Sequence, residues 1–400
     1  MHDIVILGGN FSGVSTAHYL LRHILPPLRS ANGGRSEYKL TLISPSDHTF
    51  FKIAAPRALI SAELVPLDKP FGSIPDAFRD YKTSEFKFVQ GAAVHVDEGA
   101  NVIHVRLTGS TANVIVRYHS LVVATGTTSP SPLWTLHGNY RDTAAAFEGL
   151  HERLPNAKTI LIVGGGATGV EVAGEIGYYY KGKDITLLSG SSRLLPGLKH
   201  TGVGKAAERQ LKVLNVKTTH NIKVVSRTEL PNGKVLVNLS EGGPETFDVY
   251  IDATSGAPNT EFLPVTWLND TKHVVTDVST LRATKSPPGV YSIGDVASFS
   301  KGSVMDAKFP VPALGYSIWS DLRESTNGRK GGSAGTVILK EKKYRQVGSD
   351  VQLVPIGPKG GVGVAFGWQI PSSIVWLLKS RTFFLDKAPE LATGEDFLKQ

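Results

Sequence analysis

The chain contains no cysteine in its 400 residues, which excludes disulfides, thiolate metal ligands, iron–sulfur clusters and any mechanism built on a protein thiol. Redox chemistry would therefore have to be borrowed from a cofactor. Long hydrophobic runs are missing too. No stretch reaches the roughly 18 apolar residues of a membrane span, and the densest late one, Ile374-Val375-Trp376-Leu377-Leu378, falls well short. The first residues lead straight into Ile4-Val5-Ile6-Leu7 without a charged leader, so secretion is not expected and a cytoplasmic location is. The 12 histidines are scattered without ligand spacing, and no metal site is expected. Lys and Arg number 43 against 35 Asp and Glu, a net charge of +8, but they build no basic run. Nucleic acid is accordingly not an expected partner, and the surplus suits a solvated surface with a preference for phosphate-bearing ligands.

Glycine, by contrast, is abundant, at 42 residues where an average chain has roughly 7%. A chain of this length fits two or three domains. Short β-rich apolar runs recur at Ile4–Leu7, Leu40–Ile43, Leu121–Ala124, Ile160–Val163, Ile185–Leu188, Val249–Asp252 and Val290–Ile293, the pattern of buried parallel strands. The first and fourth of these each lead into a glycine cluster and a helix-compatible segment, one unit occurring twice. Residues 86 to 116 alternate and predict an antiparallel meander. A comparable tail follows the second unit around Val213 to Leu239, with a turn at Asn232-Gly233. Ser325 to Gly335 is polar and glycine-rich and is expected to be mobile.

The sharpest motif is Thr159-Ile-Leu-Ile-Val-Gly164-Gly165-Gly166-Ala167-Thr168-Gly169, a G-x-G-x-x-G directly after a strand and before a helix. In such a loop Gly164 makes the tight turn, Gly166 admits a pyrophosphate to the backbone, and Gly169 lets helix and strand pack closely. The diphosphate would sit at the helix N-terminus, beside Thr168. The first unit, Gly8-Gly9-Asn10-Phe11-Ser12-Gly13, departs from this pattern at Asn10, whose side chain must either point away from a pyrophosphate or bond to it. The strand Leu40–Ile43 ends in Ser44, where an acidic residue usually holds ribose hydroxyls. The strand Ile185–Leu188 likewise ends in Ser189. A carboxylate there would repel a 2′-phosphate, whereas Ser189, Ser191 and Ser192 can donate to one and Arg193 can pair with it. NADPH is therefore expected to serve at least as well as NADH, unless these serines only shape a turn and Arg193 faces solvent.

Two further strand ends, Ala124-Thr125-Gly126 and Gly294-Asp295, complete an order of glycine loop, Ala-Thr-Gly, second glycine loop and Gly-Asp. In this order the chain resembles the two-dinucleotide flavoprotein reductases. The disulfide-reducing members need a cysteine pair that this chain lacks. The segments His48-Thr-Phe-Phe-Lys52-Ile-Ala-Ala-Pro-Arg57 and Val354 to Trp368, continuing through Pro371 to Arg381, are similar to apoptosis-inducing-factor-like flavoproteins, especially the ferroptosis-suppressor-type NAD(P)H:quinone oxidoreductases and their fungal relatives.

The resemblance implies an α/β fold of two Rossmann-type dinucleotide-binding domains plus a small α+β C-terminal domain. The expected bounds are residues 1–128 with 255–325 for FAD, 129–254 for NAD(P)H and 326–400 for the C-terminal part. It places Asp295 on the ribityl chain of FAD and Glu171 near the nicotinamide or flavin edge. Lys52 and Arg57 can lie near the flavin and balance negative charge there or on a quinone oxygen, or serve as ordinary ion-pair residues. Glu175, one helical turn after Glu171, reads as a structural contact. The implied activity is hydride transfer from NAD(P)H through flavin to a quinone-like acceptor. The alternatives are a biosynthetic flavin oxidase with oxygen as acceptor, or a slow-turnover signalling flavoprotein. Oligomeric state is left open. Trp376-Leu377-Leu378 either touches a membrane interface or packs under the C-terminal domain.

Overall fold

The computed structural model describes residues 2–31, 38–327 and 339–399. Its largest sheet has seven strands in the order Val290–Ser292, Ser120–Val123, His2–Leu7, Tyr38–Ser44, Phe86–Asp97, Val102–Leu107 and Asn113–Arg117. The first five run parallel, with Ile4 opposite Leu40 and Leu40 opposite Phe86. Strands so enclosed are apolar on both faces, and Ile4, Val5 and Ile6 are all fully buried. The expected meander is corrected at its start. Residues 86–90 pair in parallel with Tyr38–Ser44, and only from Gly91 does the same strand turn to antiparallel pairing.

The second unit repeats the plan with Val216–His220, Asp184–Ser189, Thr159–Val163 and Val249–Asp252, all parallel. Its tail also begins later than expected. Val213 closes the helix Thr201–Val213, and the antiparallel strands are Val224–Glu229, Val235–Leu239 and Glu245–Phe247. The turn between the first two holds Gly233 at φ 77°, where a side chain would be strained.

Because Val290–Ser292 pairs with Ser120–Val123, the chain rejoins the first sheet after completing the second. The helix Val311–Asn327 then packs on the helix Phe11–Tyr19, burying Leu314, Ile318 and Leu322 beside Val14 and Ala17. The first three residues of the Ser325–Gly335 stretch continue that helix; the rest lies outside the described residues.

The C-terminal residues supply a three-stranded antiparallel sheet, Gln352–Pro355, Gly361–Ala365 and Trp368–Gln369, and several short helices. Their apolar side chains extend the cores of the other two units. Val354, Ile356, Val362 and Val364 join the core of the second unit, while Phe383, Ala388 and Leu391 join Phe11 and Phe51 of the first. Three basic side chains of the first long helical run fasten the tail. His18 bonds the Ala392 carbonyl, Arg22 donates to Thr393 and Gly394, and His23 bonds the Phe397 carbonyl.

Candidate active site

The two glycine loops are built alike. A Cβ on Gly8 would lie 2.2 Å from the Ala124 carbonyl oxygen, and one on Gly164 would lie 2.5 Å from that of Ala253. A Cβ on Gly13 or Gly169 would lie 1.8 Å from the carbonyl oxygen of Gly8 or Gly164 respectively. These glycines are packing requirements, because the helix could not otherwise approach the strand. The middle positions differ. Gly166 has φ −77° and, among the described residues beyond its chain neighbours and its own helix backbone, nothing within 4 Å of where a Cβ would stand, so its face is open to an incoming group. Asn10 turns its amide onto the Phe50 backbone, accepting from the N–H and donating to the carbonyl, both at 3.2 Å. Its side chain is thereby held away from the loop's own backbone, and both loops present the peptide surface that a diphosphate requires.

A cavity of about 1330 Å³ runs between the units. The first unit lines it with residues 8–12, Ser44, Lys52 and residues 124–126, and with Asp295 from the returning segment. The second unit contributes Thr168 and Glu171. The C-terminal part contributes Lys379 and Phe384. Gly294 stands behind this wall, its bare face against the Ser12 hydroxyl, which donates to the Ala307 carbonyl. Lys52 donates to the Asp295 carboxylate at 3.0 Å, and Ser300 donates to its other oxygen at 3.3 Å.

Also lining the cavity, Glu171 is buried at 5% exposure and accepts from the Lys379 ammonium at 2.6 Å. Burial raises the Glu171 carboxyl above its ordinary range despite the nearby ammonium. Lys379 also donates to the Leu353 carbonyl at 3.2 Å, so the cation is aimed from two sides. The pair can hold or release a proton at the cavity wall with little reorganisation. Lys379 was not among the candidates read from the sequence. Its only signal there was its place in the Pro371–Arg381 segment, next to the apolar run considered for membrane contact. Trp376, Leu377 and Leu378 on the same turn are 40%, 52% and 49% exposed, so they are not packed underneath.

Three sequence candidates take other roles. Arg57 does not line the cavity. It is buried at 7% exposure, donates through Nη2 to Glu175 at 3.0 Å and to the Ser380 carbonyl at 2.9 Å, and lies over the Phe383 ring. Burial pushes the Glu175 carboxyl up to about 7, against the lowering effect of Arg57. Ser189 spends its hydroxyl on the Arg193 carbonyl and accepts from the Ser191 N–H, and it fills the space beside Gly165. Arg193 is turned back on its own loop, donating to the carbonyls of Pro196 and Leu198. The local reason is a tight turn whose carbonyls need donors.

The sequence pattern of pyridine nucleotide-disulphide oxidoreductases matches residues 2–311. The chain belongs to that family. Membership brings flavin and NAD(P)H binding with it, and the loops and cavity just described fit such cofactors. The oxidoreductase phnG of Penicillium herquei is 33% identical over 99% of this chain and 97% of its own length. Ferroptosis suppressor protein 1 of Xenopus laevis is 24% identical, covering 96% of this chain and 94% of that protein. Among solved structures, a sulfide:quinone oxidoreductase from Aquifex aeolicus superposes with a TM-score of 0.69 over 100% of this chain and 96% of that one. At 16% identity that likeness shows the fold alone. The chain is an oxidoreductase, and among its described residues no helix is long and apolar enough to cross a membrane.

Proposed function

We propose that the first unit binds FAD, the second binds NAD(P)H, and electrons leave to a quinone-like acceptor in the cavity between them. The observation that carries this reading is the buried Glu171–Lys379 pair, which lines the same cavity as Lys52 and Asp295. FAD held by the first unit would supply two-electron chemistry between the nicotinamide and the acceptor. Reduction of a quinone to a hydroquinone also consumes two protons, of which hydride transfer supplies one. Glu171, whose carboxyl burial raises above its ordinary range, and Lys379 stand where the other can be passed in and then replaced from solvent. Lys52 keeps a positive charge at the cavity wall and orients Asp295 toward ligand hydroxyls. The half-exposed Trp376, Leu377 and Leu378 on the turn that carries Lys379 favour an apolar acceptor approaching over that turn, which is also where peripheral membrane contact would occur.

Anaerobic titration with NADH and NADPH, followed by a water-soluble quinone, tests this. Rapid bleaching by the nicotinamide and stoichiometric reoxidation by the quinone are expected. A flavin that bleaches with an organic metabolite and not with NAD(P)H would favour the oxidase alternative. Asp295→Ala is expected to lower the FAD content of purified protein, since it removes the carboxylate held between Lys52 and Ser300. Wild-type protein that is colourless and cannot be reconstituted with FAD would defeat the assignment. Glu171→Gln keeps the shape but not the proton exchange, and should lower turnover with quinone by about 100-fold at unchanged flavin content. Unchanged turnover and an unchanged pH profile would remove Glu171 from the mechanism.

A further inference from the structure

With Arg193 and Ser189 absorbed by their own turn, the adenosine end of the second nucleotide site needs another account. The strand Asp184–Ser189 lies next to Thr159–Val163, the strand that leads into the Gly164–Gly169 loop. Its end is therefore where a Rossmann unit meets the ribose. Residues 189–193 read Ser-Gly-Ser-Ser-Arg and include no acid. Immediately beside them lies the start of the antiparallel tail. Ile222 donates its N–H to the Ser189 carbonyl at 3.3 Å and Asn221 to that of Ser191 at 3.2 Å, fastening the two loops together. Lys223 is anchored from the other side, its N–H on the Ser240 hydroxyl and its carbonyl accepting from the Ser240 N–H. Its side chain runs across the bare face of Gly190, with Cγ 3.4 Å and Cε 3.6 Å from where a Cβ would stand. The ammonium has no hydrogen-bond or ion-pair partner among the described residues, whereas Nη2 of Arg193 is held by two carbonyls and its Nη1 is buried inside the turn.

We propose that Lys223, lying over Gly190, is the residue that selects a 2′-phosphorylated adenosine in the second site, with the hydroxyls of Ser191 and Ser192 beside it. This deepens the functional reading above and rests on its assignment of the Gly164–Gly169 loop to NAD(P)H. The physical basis is a point charge carried on a backbone fixed from two sides and met by a dianionic phosphate. Gly190 gives the lysine stem room to lie flat, and the lack of a carboxylate removes the group that would repel the phosphate. Because the ammonium is solvent-exposed, the gain is modest and screened by salt.

The test is calorimetric binding of adenosine 2′,5′-bisphosphate and of 5′-AMP to the flavin-loaded protein, so that the readout is independent of turnover. Wild type should bind the bisphosphate more tightly. Lys223→Ala should weaken the bisphosphate by about fivefold and leave 5′-AMP unchanged, Lys223→Arg should restore the preference, and added salt should erode it. Arg193→Ala should leave the ratio of the two affinities as in wild type. If Lys223→Ala leaves the ratio unchanged, or if Arg193→Ala is the variant that collapses it, the proposal fails while the second nucleotide site stands. If wild type binds neither nucleotide, the assignment of the loop fails and the proposal with it. Unchanged 5′-AMP binding and flavin absorbance in the variants show that each is folded.

Discussion

Gly166→Val protein is expected to purify with its flavin and to lose reduction by NAD(P)H. The glycine sits at φ −77°, a conformation open to any L-residue, and among the described residues no atom beyond its chain neighbours and its own helix backbone lies within 4 Å of the added Cβ. The added Cβ therefore meets no clash, and under the proposed assignment the branched side chain occupies the face that the diphosphate would approach. A loss of about 100-fold or more in the rate of flavin reduction follows from displacing the nicotinamide even slightly. Gly169→Val makes the informative control, because its Cβ would stand 1.8 Å from the Gly164 carbonyl oxygen and the variant should fail to fold. Stopped-flow bleaching and flavin content separate the two effects. Equal loss of flavin and of reduction in Gly166→Val would mean that the two loops have been assigned the wrong way round.

Arg57→Met should destabilise the protein by about 3 kcal/mol at alkaline pH, the cost of leaving a buried charge without its partner. Arg57 ties together three parts of the chain. It belongs to the short helix Ala55–Ala58, pairs with Glu175 of the helix Ala167–Tyr179, and donates to the Ser380 carbonyl. The pH dependence has a definite sign. Glu175 is raised from 4.5 to about 7 in the folded state. Its contribution to stability is thus fully present below the unfolded value and is lost as pH rises through about 7. Removing the guanidinium raises the folded value further. The deficit of Arg57→Met should therefore be small near pH 5, where Glu175 can take up a proton, and should grow through pH 7 to a plateau above it. Thermal or denaturant unfolding across that range measures this. The double variant Arg57→Met, Glu175→Leu should recover much of the loss, since an apolar pair replaces a buried ionic one without leaving either charge behind. A deficit that does not vary with pH would show that Arg57 acts by packing on Phe383 and Tyr179 alone.

What the sequence could and could not show divides along physical lines. Parallel strands enclosed on both faces must be apolar at successive positions, so Ile4–Leu7, Ile160–Val163 and Val249–Asp252 were legible as strands without any tertiary information. The glycine loops were legible because their backbones leave no room for a Cβ, a constraint written directly into residue type. Where a single strand serves two kinds of pairing the periodicity is mixed, which is why the parallel half of Phe86–Asp97 was read as meander.

Long cations resisted reading from sequence. Arg57, Arg193, Lys223 and Lys379 carry the same kind of charge on flexible stems, and nothing local tells which will be buried, turned back on its own loop, left free, or aimed at a carboxylate. The fold decided each case: Arg57 went to Glu175, 118 residues away along the chain, and Arg193 to the carbonyls of its turn. Lys379 reached Glu171 although 208 residues separate them. Composition, the positions of the buried strands and the glycine loops were thus set by local chemistry in the chain itself. Which charged groups meet at the cavity was set only when the C-terminal turn was laid against the second unit's helix, because a side-chain ion pair depends on distances that the order of residues does not encode.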